Sequence, residues 1–166
     1  CIPLDPFYLS WKASEFGAWA RFIELAGEIN ASMPHYVVDK TVKALNAAGK
    51  SIKGAKVLIL GLSYKADIDD DRESPSYELI DLFDGLGADW AYCDPFIPEA
   101  HLGRKNRRQM RSVPCTAEEF AKADVLVIST AHRQFKDPAL YRGASLVVDT
   151  RNAISPEQVT ARVIRA

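Results

Sequence analysis

From residue 54 onward the chain alternates apolar runs with amphipathic stretches. Lys56-Val57-Leu58-Ile59-Leu60-Gly61 is a continuous apolar run, the pattern of a strand covered on both faces. Over 74–87, Leu79, Ile80, Leu82 and Phe83 recur at helical spacing. Ser74 is placed to cap that helix, with Pro75 at its first position. Residues 88–93 read as a second strand stopped by Asp94-Pro95, and Thr116-Ala117-Glu118-Glu119 as a capped short helix. Third and fourth strands are expected over 124–130 and 145–149. Apolar strands alternating with helices predict an α/β, Rossmann-like parallel sheet with flanking helices and right-handed crossovers.

The first 53 residues have a different character. Pro3 and Pro6 are expected to keep the opening six residues out of a helix. Phe16, Trp19, Phe22, Ile23, Ala26, Ile29 and Asn30 then fall on one helical stripe. Pro34 either interrupts that helix or starts a second over 36–46, carrying Val37, Val38, Val42 and Leu45, with Ala47-Ala48-Gly49 as its stop. A long apolar-striped helical segment with little before it to pack on needs cover, from chain outside this sequence or from another subunit. The chain opens Cys1-Ile2-Pro3 without an initiator methionine, so it is expected to be a processed chain or a piece of a longer protein.

Composition narrows the function. The 166 residues carry 21 Lys+Arg against 22 Asp+Glu, and that balance argues against a dedicated nucleic-acid binder. No run approaches the roughly 20 apolar residues that cross a bilayer, so no membrane partner is expected and the compartment reads as cytoplasmic. Cys1, Cys93 and Cys115 are too few and scattered for a disulfide framework or zinc site; Cys93 and Cys115 read as structural, in a strand and a loop.

Ligands of open α/β sheets bind beyond the carboxyl ends of the strands. Those ends here are Gly61-Leu62-Ser63-Tyr64-Lys65, Asp94-Pro95, Thr130-Ala131-His132-Arg133 and Asp149-Thr150-Arg151-Asn152. Lys65, Arg133 and Arg151 are expected to converge on one rim, suiting an anion such as a pyrophosphate; polar loops at strand ends are the bland alternative. The first turn is not a dinucleotide fingerprint, since of the three glycines in G-x-G-x-x-G it has only Gly61. Asp67, Asp69, Asp70 and Asp71 are read as a salt-bridged, solvated loop rather than a metal site. Cys1 and Asp5 place a thiol near a carboxylate. An inert cysteine, a processed N-terminal nucleophile and a lipidated residue are all open readings. The basic stretch over 104–111 is read as a solvated loop, Trp11, Trp19 and Trp90 as packing residues. His35, His101 and His132 have no metal spacing.

Taken together, these segments resemble the nucleotide-sugar 6-dehydrogenases, the family of UDP-glucose and GDP-mannose dehydrogenases. Cys1-Ile2-Pro3-Leu4-Asp5-Pro6-Phe7-Tyr8-Leu9 is similar to the family's catalytic cysteine segment. Arg21-Phe22-Ile23-Glu24-Leu25-Ala26, Ile29-Asn30 and Met33-Pro34 resemble its central helix. Gly61 to Lys65 and Asp70-Asp71-Arg72-Glu73-Ser74-Pro75 resemble its nucleotide-sugar loop, and Asp149-Thr150-Arg151-Asn152 its last strand end. The resemblance implies that Cys1 is the nucleophile, forming a thiohemiacetal and then a thioester, with Asp5 positioning the hydrolytic water. It further implies that Tyr64, Lys65 and Arg151 bind a UDP-sugar and that Arg72 reaches NAD, held mainly by an N-terminal domain absent from this sequence. Residues 1–53 would then end a central dimerisation domain of a homodimer or higher homo-oligomer, and 54–166 would be the UDP-binding domain. The cysteine segment is closer to members acting on UDP-N-acetylhexosamines, enzymes of polysaccharide biosynthesis. A free-standing nucleotide-sugar binding module without catalysis is the alternative.

Overall fold

The computed structural model describes residues 4–102 and 108–166. The chain forms two compact units, 1–34 and 35–166, and the boundary falls within a helix.

In the first unit, α1 (Asp5–Glu15) starts one residue before Pro6. Asp5 and Pro6 are helical where the sequence reading kept the opening six residues out of a helix, because proline in the first turn lacks only an N–H that has no intrahelical acceptor there. A break follows, and α2 (Arg21–Ala47) begins. Phe16 caps α1 and Trp19 lies between the helices, so the expected stripe is not one continuous helical face. Ser10 donates to Glu24 at 2.5 Å, and the Phe7 ring occupies the space a Cβ on Gly27 would fill. Glycine at 27 is what lets α1 approach α2 so closely. Helix α2 runs through Pro34 rather than stopping there. Trp11 and Trp19, expected to pack, are 60% and 75% exposed, alongside exposed Phe22 and Ile29.

The second unit holds a five-stranded, all-parallel sheet. Its strands are β1 (Lys56–Leu60), β2 (Asp89–Cys93), β5 (Val125–Ile128), β6 (Leu146–Asp149) and β7 (Arg162–Arg165), in the order β2-β1-β5-β6-β7. Side chains alternate across it with the period of two that a strand imposes. Val57, Ile59, Val125, Val127 and Val148 face a core with α3 (Ser76–Gly85), through Leu79, Ile80 and Phe83, and with Val37, Val38 and Leu45. Leu58, Leu60, Leu126, Ile128 and Val147 face Phe120, Phe135 and Tyr141 on the other side. Both faces are covered, as the apolar runs required. α3 begins one residue later than expected, with Pro75 as its cap residue and the Ser74 hydroxyl 3.3 Å from the Ser76 N–H. Thr116 caps α4 (Ala117–Phe120) as expected, accepting the Glu119 N–H.

Three further features differ from the sequence reading. Residues 108–111 of the basic stretch form β4 (Arg108–Arg111), paired antiparallel with β3 (Glu99–Leu102); Glu99 and Arg111 form an ion pair across it. The rest of that stretch, 103–107, lies outside the described residues. β7 was not anticipated; it is a short edge strand with only Val163 and Ile164 half-buried. Cys93 and Cys115, judged too scattered for a disulfide framework and read as structural, are joined by a disulfide with Cα atoms 5.7 Å apart. The connection is invisible in sequence because 22 residues separate them and a hairpin brings them back together.

Candidate functional site

The carboxyl ends of β1, β2, β5 and β6 meet along one edge of the sheet. Gly61 ends β1 with φ +89°, and a Cβ there would stand 2.6 Å from the Thr130 carbonyl oxygen. Only glycine fits, both for its dihedral and for the close approach of the turns after β1 and β5. Thr130 completes the join by donating from its hydroxyl to the Ser63 carbonyl at 2.7 Å.

Asp94, the residue after β2, is the hub of this edge. Its Oδ2 accepts the N–H of Leu62 at 2.6 Å, the N–H of Ser63 at 2.9 Å and the Ser63 hydroxyl at 2.9 Å. Its Oδ1 accepts the N–H groups of Phe96 and Ile97 at 2.8 and 3.1 Å. Burial pushes the Asp94 carboxyl upward, but the hydrogen bonds from His132, Ser63, Phe96 and Leu62 outweigh it and hold the group well below the ordinary carboxylate range. The carboxylate is thus kept charged in the interior.

His132 closes the cluster. Its side chain is fully buried, with Nε2 3.0 Å from Asp94 Oδ2 and Nδ1 accepting the Asp67 N–H at 2.9 Å. Because Nδ1 accepts, the ring proton sits on Nε2 and points at Asp94; this assignment follows from the partners. The rings of Phe96 and Phe135 lie 5.1 and 5.3 Å from it.

Asp149 ends β6 and plays a similar part. Its Oδ1 accepts from the N–H of Arg151 and of Ala153, and its Oδ2 from Ile154 and the Arg165 guanidinium. Arg151 is thereby presented at the rim, its Nε donating to the Ser129 carbonyl at 2.7 Å. Ser129 and Ser76 share a hydroxyl–hydroxyl bond of 2.7 Å, and Ser76 also donates to the Gly61 carbonyl. One chain of hydrogen bonds therefore links the ends of β1, β5 and β6 to the start of α3.

Lys65, Arg133 and Arg151 follow the adjacent strands β1, β5 and β6, and all three are exposed. Lys65 lies over the Tyr64 ring with Nζ 5.8 Å from its centre. The Tyr64 N–H closes the loop onto the Asp70 carbonyl at 2.7 Å. Arg133 donates its backbone N–H to Asp67 at 2.9 Å. The acidic loop is laced with cations as expected. Arg72 grips Asp70 through Nε and Nη2 at 2.9 and 2.8 Å, and Arg72 holds the Asp70 carboxyl down at about 2. Asp5 is the exposed first residue of α1, in the first unit. Cys1 lies outside the described residues.

Ser63, His132 and Asp94 have the residue types of a nucleophilic triad but not its geometry. Ser63 Oγ lies 3.0 Å from His132 Nε2, but that nitrogen carries the ring proton. Serine and histidine both point at the same carboxylate oxygen, and the other ring nitrogen already accepts an amide, so no base is available to the hydroxyl. The cluster holds shape. What it supports is a row of exposed cations on a rigid edge, suited to a phosphorylated ligand. Sequence reasoning misses the frame beneath the strand-end cations: His132 is set aside for lacking metal spacing, and Asp94 carries no role. An aspartate directly after an apolar strand and a histidine two residues past another strand's polar end were the available signals.

A family profile described as "UDP-glucose/GDP-mannose dehydrogenase family, UDP binding domain" matches residues 58–156. A UDP-N-acetyl-D-mannosamine dehydrogenase of Campylobacter jejuni is 32% identical over 136 residues, 81% of this chain and 31% of that protein. An NDP-N-acetyl-D-galactosaminuronic acid dehydrogenase of Ralstonia nicotianae is 32% identical over 166 residues, 97% of this chain and 36% of its own. The chain thus spans about a third of the length of the curated relatives it matches. Among solved structures, a UDP-N-acetyl-mannosamine dehydrogenase from Staphylococcus aureus superposes with a TM-score of 0.69 at 27% identity, covering 96% of this chain and 36% of that one. A UDP-D-ManNAc dehydrogenase from Pyrococcus horikoshii shares the fold with a TM-score of 0.79 at 24% identity, over 99% of this chain and 37% of its own.

Proposed function

Since this chain belongs to the UDP-glucose/GDP-mannose dehydrogenase family, we propose that it is the C-terminal, nucleotide-sugar-binding part of an NAD-dependent UDP-sugar 6-dehydrogenase. The relatives that act on UDP-N-acetylhexosamines, by their names, support such a sugar as substrate. The observation that carries the reading is the cationic edge built on Gly61, Asp94 and Asp149. In this reading Lys65 and Arg151 hold the pyrophosphate and sugar, and Tyr64 flanks the lysine.

NAD would supply the hydride acceptor for two successive oxidations of the sugar's primary alcohol. This sheet does not fit it. Ser63 replaces the second fingerprint glycine and is tied into the Asp94 cluster, while the next helix begins only at Ser76, too late to offer its N-terminus to a pyrophosphate. The cofactor is therefore proposed to bind mainly on a preceding domain, with Arg72 as the chain's contribution if it exchanges Asp70 for the cofactor. Cys1 would add to the aldehyde carbon as a thiolate, giving a thiohemiacetal, and then carry the acid as a thioester until water, positioned by Asp5, releases it. The first helical unit, with exposed Phe22 and Ile29, is proposed to form a dimer contact. The proposed compartment is the cytoplasm; the Cys93–Cys115 disulfide is the feature that speaks against it, because reducing compartments keep thiols reduced.

Calorimetry on the 166-residue chain tests the binding claim. UDP or a UDP-sugar is expected to bind and NAD is not, with no NAD reduction by the isolated chain. Binding of NAD without UDP overturns the reading and favours a different nucleotide module. In the parent enzyme, Cys1→Ser is expected to abolish net acid formation, and undiminished turnover would remove Cys1 from the chemistry.

A further inference from the structure

Resting on that reading of the site, we propose that His132 is a positioning residue for nucleotide-sugar binding: it fixes the Lys65 loop by accepting the Asp67 N–H at its buried Nδ1. The loop has few other ties at that point. Asp67 sits in the left-handed region at φ +62°, which aspartate enters more readily than most residues and which needs local hydrogen bonds to keep it there. What holds it is the imidazole on one side, at 2.9 Å, and the Arg133 N–H on its carboxylate, also at 2.9 Å. Lys65 is two residues away and exposed, so its starting point is set by this clasp.

The two ring nitrogens do separable work. Asp94 accepts hydrogen bonds from Leu62, Ser63, Phe96 and Ile97 besides His132, so it remains satisfied when the Nε2 proton is lost. The amide of Asp67 has only Nδ1. Losing the acceptor at Nδ1 leaves that amide without its partner. The charged groups around the ring are Asp94 at 3.0 Å and the Asp67 carboxylate at 3.8 Å from Nδ1, with the Arg133 guanidinium beyond, 3.8 Å from Asp67. The other neighbours, the Ser63 hydroxyl 3.0 Å from Nε2 and the rings of Phe96 and Phe135, are uncharged.

Substitution can split the two roles. Asn places its carbonyl oxygen near Nδ1 and keeps the acceptor, while Gln places its amide nitrogen near Nε2 and keeps only the donor to Asp94. With UDP-N-acetylglucosamine as the probe, calorimetry is run at neutral pH on the 166-residue chain and both variants. His132→Asn is expected to bind close to the wild type. His132→Gln is expected to bind about tenfold more weakly, the loss of one hydrogen bond's worth of positioning. Thermal melts within a few degrees of each other separate positioning from unfolding. Equal affinities for Asn and Gln variants that melt alike overturn the inference while leaving the site reading intact. A wild-type chain that does not bind the probe overturns both.

Discussion

His132 Nε2 and Asp94 Oδ2 lie 3.0 Å apart with no exposed surface on either side chain. The pair joins the ends of β2 and β5, and through Ser63 the end of β1. Removing the carboxylate strips acceptors from four backbone N–H groups, those of Leu62, Ser63, Phe96 and Ile97. Each buried donor left unmatched costs about 1–3 kcal/mol. Asp94→Ala is therefore expected to lose more than about 3 kcal/mol of stability in urea denaturation, and Asp94→Asn less, because its amide oxygen still accepts.

The same carboxylate sets an acid limit. Its folded pKa lies below the ordinary value of 3.8, so its contribution is complete above that value and drains away as pH falls toward the lowered one. Denaturation at pH 7 and pH 3 is expected to show the gap between wild type and Asp94→Asn narrowing in acid. A gap unchanged across that range would contradict the assignment.

At the rim, Lys65 and Arg151 are expected to make charge-assisted hydrogen bonds to the nucleotide sugar. Such bonds contribute about 1.5–3 kcal/mol. Lys65→Ala and Arg151→Ala should each weaken UDP-sugar binding by roughly tenfold to a hundredfold in calorimetry. The two differ in one respect: Arg151 also braces Ser129, so its loss should lower the melting temperature as well, and that of Lys65 should not.

Exposure of Phe22 at 88% and Ile29 at 54% underlies the expected self-association of the first helical unit. Light scattering across concentration should give a discrete dimer, and Phe22→Glu should return a monomer. A monomer in the unsubstituted chain at high concentration would remove the contact.

The Cys93–Cys115 disulfide closes a loop of 22 residues in sequence separation. A crosslink of that span stabilises by about 3 kcal/mol. Cys115→Ser is expected to lower stability by that order, and in the unfolded, unreduced chain Cys93 and Cys115 should resist alkylation until a reductant is added. Labelling of both without reductant would show the pair open.

How much of this was written legibly depends on what each element is made of. β1, β5 and β6 are apolar runs buried on both faces, and the cations that follow them fall where strand ends must put them. β3, β4 and β7 were not legible: their sequences are mostly charged or polar, and they exist as strands because of the partner beside them. Both prolines misled in the same direction, toward a break that did not occur. Pro6 sits in a first turn that tolerates it, and Pro34 costs α2 one backbone hydrogen bond that a 27-residue helix can lose. His132 was illegible as a frame residue because its meaning lies in Asp94, 38 residues earlier, and in the amide of Asp67.

The strand order β2-β1-β5-β6-β7 also has a bearing on synthesis. β1 pairs with β2 across a short separation, Lys56 against Asp89, but its other neighbour, Val125 against Val57, arrives far later. On the ribosome the first two strands and α3 can assemble early, with one edge of β1 left open. Until β5 emerges, that edge offers free amides and carbonyls to any passing strand. Chaperone dependence during translation, rather than weakness of the finished protein, is where a slow codon or a lesion between residues 94 and 125 would be felt.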